Sequence, residues 1–150
     1  MLGSSAIAVN VYKMSMVREA EVAWPRAACV DSASAVTMLR PLFAGLDREQ
    51  FVVVLLDTKH RPIGVNVVAV GNLNTALVHP REVFRPAIAM PCAAIIVAHN
   101  HPSGDPSPSP EDVSLTRRLR EAGEILGIPV LDHVILGDGE RYYSFTDAGV

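Results

Sequence analysis

The sequence holds only two cysteines, Cys29 and Cys92, in 150 residues. Two thiols do not make a disulfide framework, so a cytoplasmic protein with buried thiols is expected. Long apolar runs are missing too. None approaches the roughly 20 residues needed to cross a bilayer, and no membrane contact is expected. Met1 to Asn10 has no basic residue ahead of its apolar ones, which argues against a signal peptide. Residues 1–10 are read as flexible. Excess positive charge is absent as well: 13 basic against 16 acidic side chains leave a net −3. The dense basic spot, Arg117-Arg118-Arg120, shares its helix with Glu121 and Glu124 and reads as a solvated face. The balance gives no support for nucleic-acid binding, although it leaves room for a local patch.

What is present is a packed globule. Hydrophobic content of 49% rules out a disordered tail. The length suits one domain over residues 1–150 with a proper core. Val9 to Val17 alternates in part and reads as a strand with two partly covered faces. Asp31 or Ser32 can cap a helix that carries Ala35, Val36, Leu39 and Phe43, and Pro41 should kink or end it. Phe51 to Leu56 reads as a central strand, and Ile63 to Val70 as its antiparallel return. Gly71 to Asn74 suits a turn and Ala76 to Val78 a short strand. A helix starts at Pro80 with Val83, Phe84, Ala87 and Ile88 as its stripe, and Pro86 should bend it. Ala93 to Ala98 is a further buried strand. After it, Leu115, Leu119, Ala122 and Leu126 form a helical stripe that Gly127 can end. Val130 to Leu136 and Tyr142 to Phe145 close the chain as a hairpin. Interleaved elements with two hairpins exclude an all-parallel sheet. The fold class is α/β: a mixed sheet with helices packed on it.

The chemistry gathers where the Ala93–Ala98 strand ends. His99 and His101 are one residue apart, so an extended chain turns both to one side. Ser109-Pro110-Glu111-Asp112 follows as a helix start: cap, proline at the first helical position, acid at the third. If the intervening loop folds back, Asp112 meets both imidazoles. Two imidazoles and a carboxylate suffice for a zinc site with one position left for water. The plainer alternative is ordinary helix capping beside a chance His-x-His pair.

His-x-His, seven residues, Ser, two residues, Asp is similar to the motif of the JAMM (MPN-plus) metalloproteases. The fuller text His99-Asn100-His101-Pro102-Ser103-Gly104-Asp105-Pro106-Ser107-Pro108-Ser109 resembles the RadC family, the bacterial branch of that superfamily. The flanks agree: Val78-His79-Pro80-Arg81-Glu82-Val83-Phe84 before it, Leu126-Gly127-Ile128-Pro129-Val130-Leu131-Asp132-His133 after it. The resemblance implies a cytidine-deaminase-like MPN sandwich. It implies one Zn2+ held by His99, His101 and Asp112, with Ser109 as a transition-state donor. It also implies hydrolysis of a peptide or isopeptide bond in a protein or peptide substrate, with an upstream glutamate as general acid/base. Glu49, ahead of a buried strand, is the candidate at the family's place. Glu82, in a first helical turn, is the rival.

Other readings stay open at this level. Ser109 can cap its helix or donate to an oxyanion, and Ser107 can take over the cap. His60 reads as solvated, and His79 and His133 as hydrogen-bonded structural residues. Asp132-His133 can also orient a ligand from behind. Pro91-Cys92 lacks the second cysteine and the His-x-Glu of the zinc deaminases, which rejects that class. The alternative function is a RadC-type, DNA-repair-associated module that binds nucleic acid or protein. Longer RadC proteins carry a helix-hairpin-helix segment, and none reads as such before Glu49, which weakens that inference. Substrate choice should lie in Gly71 to Thr75 and Ser103 to Pro108. Oligomeric state is open, with Val9 to Val17 as an edge that can pair with a second copy.

Overall fold

The computed structural model describes residues 5–24, 27–71 and 78–150. In chain order the elements are α1 (Ser32–Phe43), β1 (Gln50–Leu56), β2 (Pro62–Val70), α2 (Pro80–Ala89), β3 (Ala94–Asn100), α3 (Pro110–Leu126), β4 (Val130–Leu136) and β5 (Tyr142–Ser144). The five strands form one mixed sheet in the order β2-β1-β3-β4-β5. β1 runs antiparallel to both of its neighbours, and β4 and β5 are antiparallel. β3 and β4 are parallel, with α3 as the crossover that a parallel pair requires. The mixed α/β architecture read from the sequence is the one observed.

Strand parity splits the core in two. Val52, Val54 and Leu56 of β1 join Ile96 and Ala98 of β3 beneath Ala35, Val36, Met38, Leu39 and Phe43 of α1. Phe51, Val53 and Leu55 join Ile95 and Val97 on the opposite face, under Val83, Phe84 and Ala87 of α2 and Leu119 of α3. Helices on both faces explain why β3 is buried throughout and reads as a continuous apolar run. Register then sets the position of the chemistry. His99 pairs with Phe51 on one side and with Ile135 on the other, in the middle of the sheet at the carboxyl end of β3. That end, followed by a loop and a helix N-terminus, is where α/β sheets place ligands.

Several expectations need correction. Val9 to Val17 is not a strand. Its residues lie outside any ladder, and Val9, Val11, Tyr12, Met14 and Val17 are each more than three-quarters exposed. Alternation alone does not hold a strand; it needs hydrogen bonds from a neighbour. α1 passes through Pro41 and ends two residues later at Phe43. α2 likewise continues past Pro86 to Ala89, and Ile88 faces solvent. On α3 the expected stripe holds for Leu119, which is buried, and for Leu115 and Ala122, which pack half-buried against the same core; Thr116 and Gly123 are buried beside them, and Leu126 is exposed. Gly123 permits a close approach on that face: a Cβ there would meet the Ile128 carbonyl at 2.6 Å. The stretch 72–77, read as part of a turn and a short strand, lies outside the described residues. Both cysteines are free thiols.

Candidate metal centre

Local sequence builds the second half of the site. Ser109 caps α3: its Oγ accepts from the Asp112 N–H at 3.1 Å, and Asp112 Oδ2 accepts from the Ser109 N–H at 2.9 Å. This reciprocal capping box fixes the Asp112 carboxylate in the first turn. Ser107 has no part in the cap; it donates to Asp105 Oδ1. The Ser109 oxygen spends a lone pair on the cap and keeps its proton, so the hydroxyl can still donate.

β3 and the loop bring the imidazoles to that carboxylate. His99 Nε2 lies 3.2 Å from His101 Nε2. Asp112 Oδ1 is 3.3 Å from His99 Nε2, and Asp112 Oδ2 is 3.4 Å from His101 Nε2. Among the described residues these three form the one group of metal-capable side chains. A tetrahedral zinc with bonds of about 2.0–2.1 Å holds its ligand atoms about 3.3–3.4 Å apart. The observed separations are of this size, with the Asp112 carboxylate turning one oxygen to each imidazole, and two imidazole nitrogens with a carboxylate are a zinc donor set. His101 is oriented from behind. Its Nδ1 lies 2.9 Å from the Asp105 carbonyl, which only accepts, so Nδ1 carries the proton and Nε2 is the lone pair.

The surroundings hold this arrangement. Phe51 stacks on the His99 ring at 5.7 Å and 15°. His99 Nδ1 contacts His133 Nε2 at 2.8 Å, and His133 Nδ1 contacts Thr116 Oγ1 at 2.7 Å. Phe145 stacks on the far side of His133 at 4.8 Å. Burial, with the charge of nearby His99, pushes His133 well below the ordinary histidine range. At Asp112 burial opposes ionisation. Hydrogen bonding and charge from His99, together with the Ser109 bonds, outweigh it and hold the carboxyl below its usual range.

Of the five residues singled out in the sequence, His99, His101 and Asp112 meet at one point and Ser109 adjoins them through the cap. Glu49 is not in the cluster. It immediately precedes β1, and the alternation of β1, if carried one residue back beyond Gln50, gives it the parity of Phe51, which pairs with His99. Asn100, between the two histidines, reaches back to this segment: its Oδ1 accepts from Gln50 N–H at 2.8 Å and its Nδ2 donates to the Arg48 carbonyl at 3.1 Å. Both neighbours of Glu49 are thus tied to the ligand strand. Glu82 pairs with Arg85 on the surface of α2. His79 caps α2 through Nδ1, and Asp132 turns away to Ser144 and Thr146. The roles of Asn100 and Thr116 left no mark in the sequence, because their partners are remote or carry no motif.

The comparisons with known proteins follow the same residues. The RadC-like JAB domain model matches residues 29–150. A UPF0758 protein of Moorella thermoacetica is 63% identical over 102 residues, 68% of this chain and 44% of the relative. One of Pelobacter propionicus is 59% identical over 103 residues, 69% of this chain and 44% of the relative. One of Methanosarcina mazei is 42% identical over 139 residues, 93% of this chain and 60% of the relative. The chain therefore spans about half the length of the curated relatives it matches. With a family model covering most of its length, and the site lying inside the match, the chain belongs to the RadC family and carries its RadC-like JAB domain over residues 29–150.

Proposed function

We propose that this domain is a zinc-dependent hydrolase of the JAMM type that cleaves a peptide or isopeptide bond. The observation that carries the reading is the triangle of His99 Nε2, His101 Nε2 and the Asp112 carboxylate, with edges of 3.2 to 3.4 Å. When bound, zinc supplies Lewis acidity and a water whose pKa is lowered to about 7. Glu49 takes a proton from the attacking water and passes it to the leaving amine. Ser109, its Oγ held by the Asp112 N–H, donates its hydroxyl proton to the developing oxyanion. A cavity of 370 Å³ beside His101, with apolar walls from Phe43, Leu46 and Leu136 and polar groups from Arg40, Asn100 and Asp138, offers a seat of mixed character for a substrate side chain.

The natural substrate is then a protein or peptide. No helix among the described residues is long and apolar enough to cross a membrane, and two free thiols suit a cytoplasmic setting. The nucleic-acid alternative draws no support from α3. Arg120 turns onto the Val130 carbonyl and Thr146, which thins the basic spot.

The test is elemental analysis of untagged protein purified without added metal, beside Asp112→Ala. About one zinc per wild-type chain and little in the variant is expected. Glu49→Gln should keep the zinc and lose peptide hydrolysis. Full activity in that variant would remove Glu49 from the mechanism, and absence of zinc from the wild type even after titration would overturn the hydrolase reading.

A further inference from the structure

A zinc-binding imidazole must present a lone pair, and which nitrogen does so depends on where the ring's proton sits. For His101 a backbone carbonyl decides this directly. For His99 the decision comes through two further side chains, and the geometry points to its direction.

Thr116 Oγ1 makes two contacts, at 2.8 Å to the Asp112 carbonyl and at 2.7 Å to His133 Nδ1. The carbonyl has no hydrogen, so the first contact uses the single hydroxyl proton of Thr116. The Thr116 oxygen must then accept in the second, and His133 carries its proton on Nδ1. His133 is fully buried against the His99 and Phe145 rings, where an unpaired charge would be costly, so its Nε2 is a bare acceptor. The 2.8 Å contact between His133 Nε2 and His99 Nδ1 therefore needs a proton on His99 Nδ1. The remaining nitrogen, His99 Nε2, is the one in the triangle with His101 and Asp112.

We infer that Thr116, acting through His133, holds His99 in the Nδ1–H tautomer and so leaves its Nε2 lone pair facing the metal position. Both are positioning residues. The relay closes on itself: it starts at the backbone of Asp112, one ligand, and ends on the ring of His99, another. Helix α3 and strands β3 and β4 are thereby linked through hydrogen bonds as well as apolar packing. The direction of the relay stands on the protein alone, whereas its use rests on the zinc reading proposed above.

The experiment has two arms. In the first, 15N-labelled, metal-free protein is examined by long-range imidazole 1H–15N correlation. His99 and His133 are both expected to carry a proton on Nδ1. A bare Nδ1 on either ring overturns the inference. In the second arm zinc affinity is measured by chelator competition for wild type, Thr116→Val and Thr116→Ser. Valine removes the hydroxyl at nearly constant shape, and loss of such an outer partner weakens metal binding by about 10–100-fold. Serine restores the hydroxyl and should restore both the affinity and the His99 tautomer. Equal affinity in all three overturns the positioning role. If Thr116→Val does not fold, the ring spectra of wild type and Thr116→Ser still decide. No zinc uptake by wild type overturns the metal reading and with it the use of the tautomer, while the spectrum judges the relay separately.

Discussion

One hydroxyl, that of Ser109, carries both a structural bond and a proposed catalytic one, and the two can be separated by substitution. Ser109→Ala removes the cap and should cost about 1 kcal/mol, read as a lower denaturation midpoint. Ser109→Gly should cost only a few tenths, since glycine is tolerated at this position. Both lose the donor, so both should lower the hydrolysis rate by about 10²–10³-fold if the oxyanion role holds. Equal activity of the glycine variant and wild type would leave Ser109 a cap and nothing more. His133 makes a pH prediction at the same scale. Its pKa is depressed in the folded state by burial, whereas in the unfolded chain it returns to about 6.5. Below that pH the unfolded state binds the extra proton, so stability falls as pH falls, on the order of 1 kcal/mol per unit. Thermal midpoints of metal-free protein should therefore drop from about pH 6.5 downward, and His133→Asn should flatten the slope.

At the scale of elements, the join between β1 and β3 matters most to the site. The Asn100 amide bonds the residues on either side of Glu49. Asn100→Ala would leave the Gln50 N–H and the Arg48 carbonyl without that partner, at a cost of about 1–3 kcal/mol. The proposed ligands lie on the other side of β3 and on α3, so on the proposed mechanism zinc content should persist while hydrolysis falls with the misplaced Glu49. Loss of zinc together with activity would mean that Asn100 supports the ligands and not the glutamate. The loop between β3 and α3 is held from the opposite direction. The Gly104 N–H donates to the His101 carbonyl, and the Asp138 N–H donates to the Gly104 carbonyl. Gly104 sits at φ +90, where a side chain would be strained, and the turn after β4 packs directly against it.

Across the whole molecule, two apolar cores clamp the sheet from both sides, and the metal position lies at the carboxyl end of its central strand. A ligand that joins β3 to α3 stabilises only the folded state. At a free zinc concentration 100 times the dissociation constant the gain is about 2.7 kcal/mol. Chelation should therefore lower the thermal midpoint of the wild type and leave that of Asp112→Ala unmoved. The segment 5–23 contributes little to this body: it is exposed and outside the sheet. Limited proteolysis should cut there first, and the trimmed protein should keep its midpoint.

Whatever depends on neighbours along the chain was legible in the residues themselves. Ser109, Pro110 and Asp112 spelled the start of α3, Gly127 its end in a left-handed turn, and the apolar runs of β1 and β3 their burial. The meeting of His99, His101 and Asp112 was legible for the same reason, because His99 and His101 share a strand face and Asp112 is set by its own cap. What required the tertiary structure were relations between distant segments. Val9 to Val17 alternates like a strand, yet a strand exists only where another supplies hydrogen bonds. The leucine stripe of α3 marked its inward side through Leu115, Leu119 and Ala122, but the burial of Thr116 and Gly123 and the exposure of Leu126 depend on what packs against the helix. Asn100 reaches back 52 residues to Arg48, and His133 reaches back 34 to His99. Such contacts follow from strand order and register, which arise when the whole sheet assembles, and no local pattern of residues encodes them.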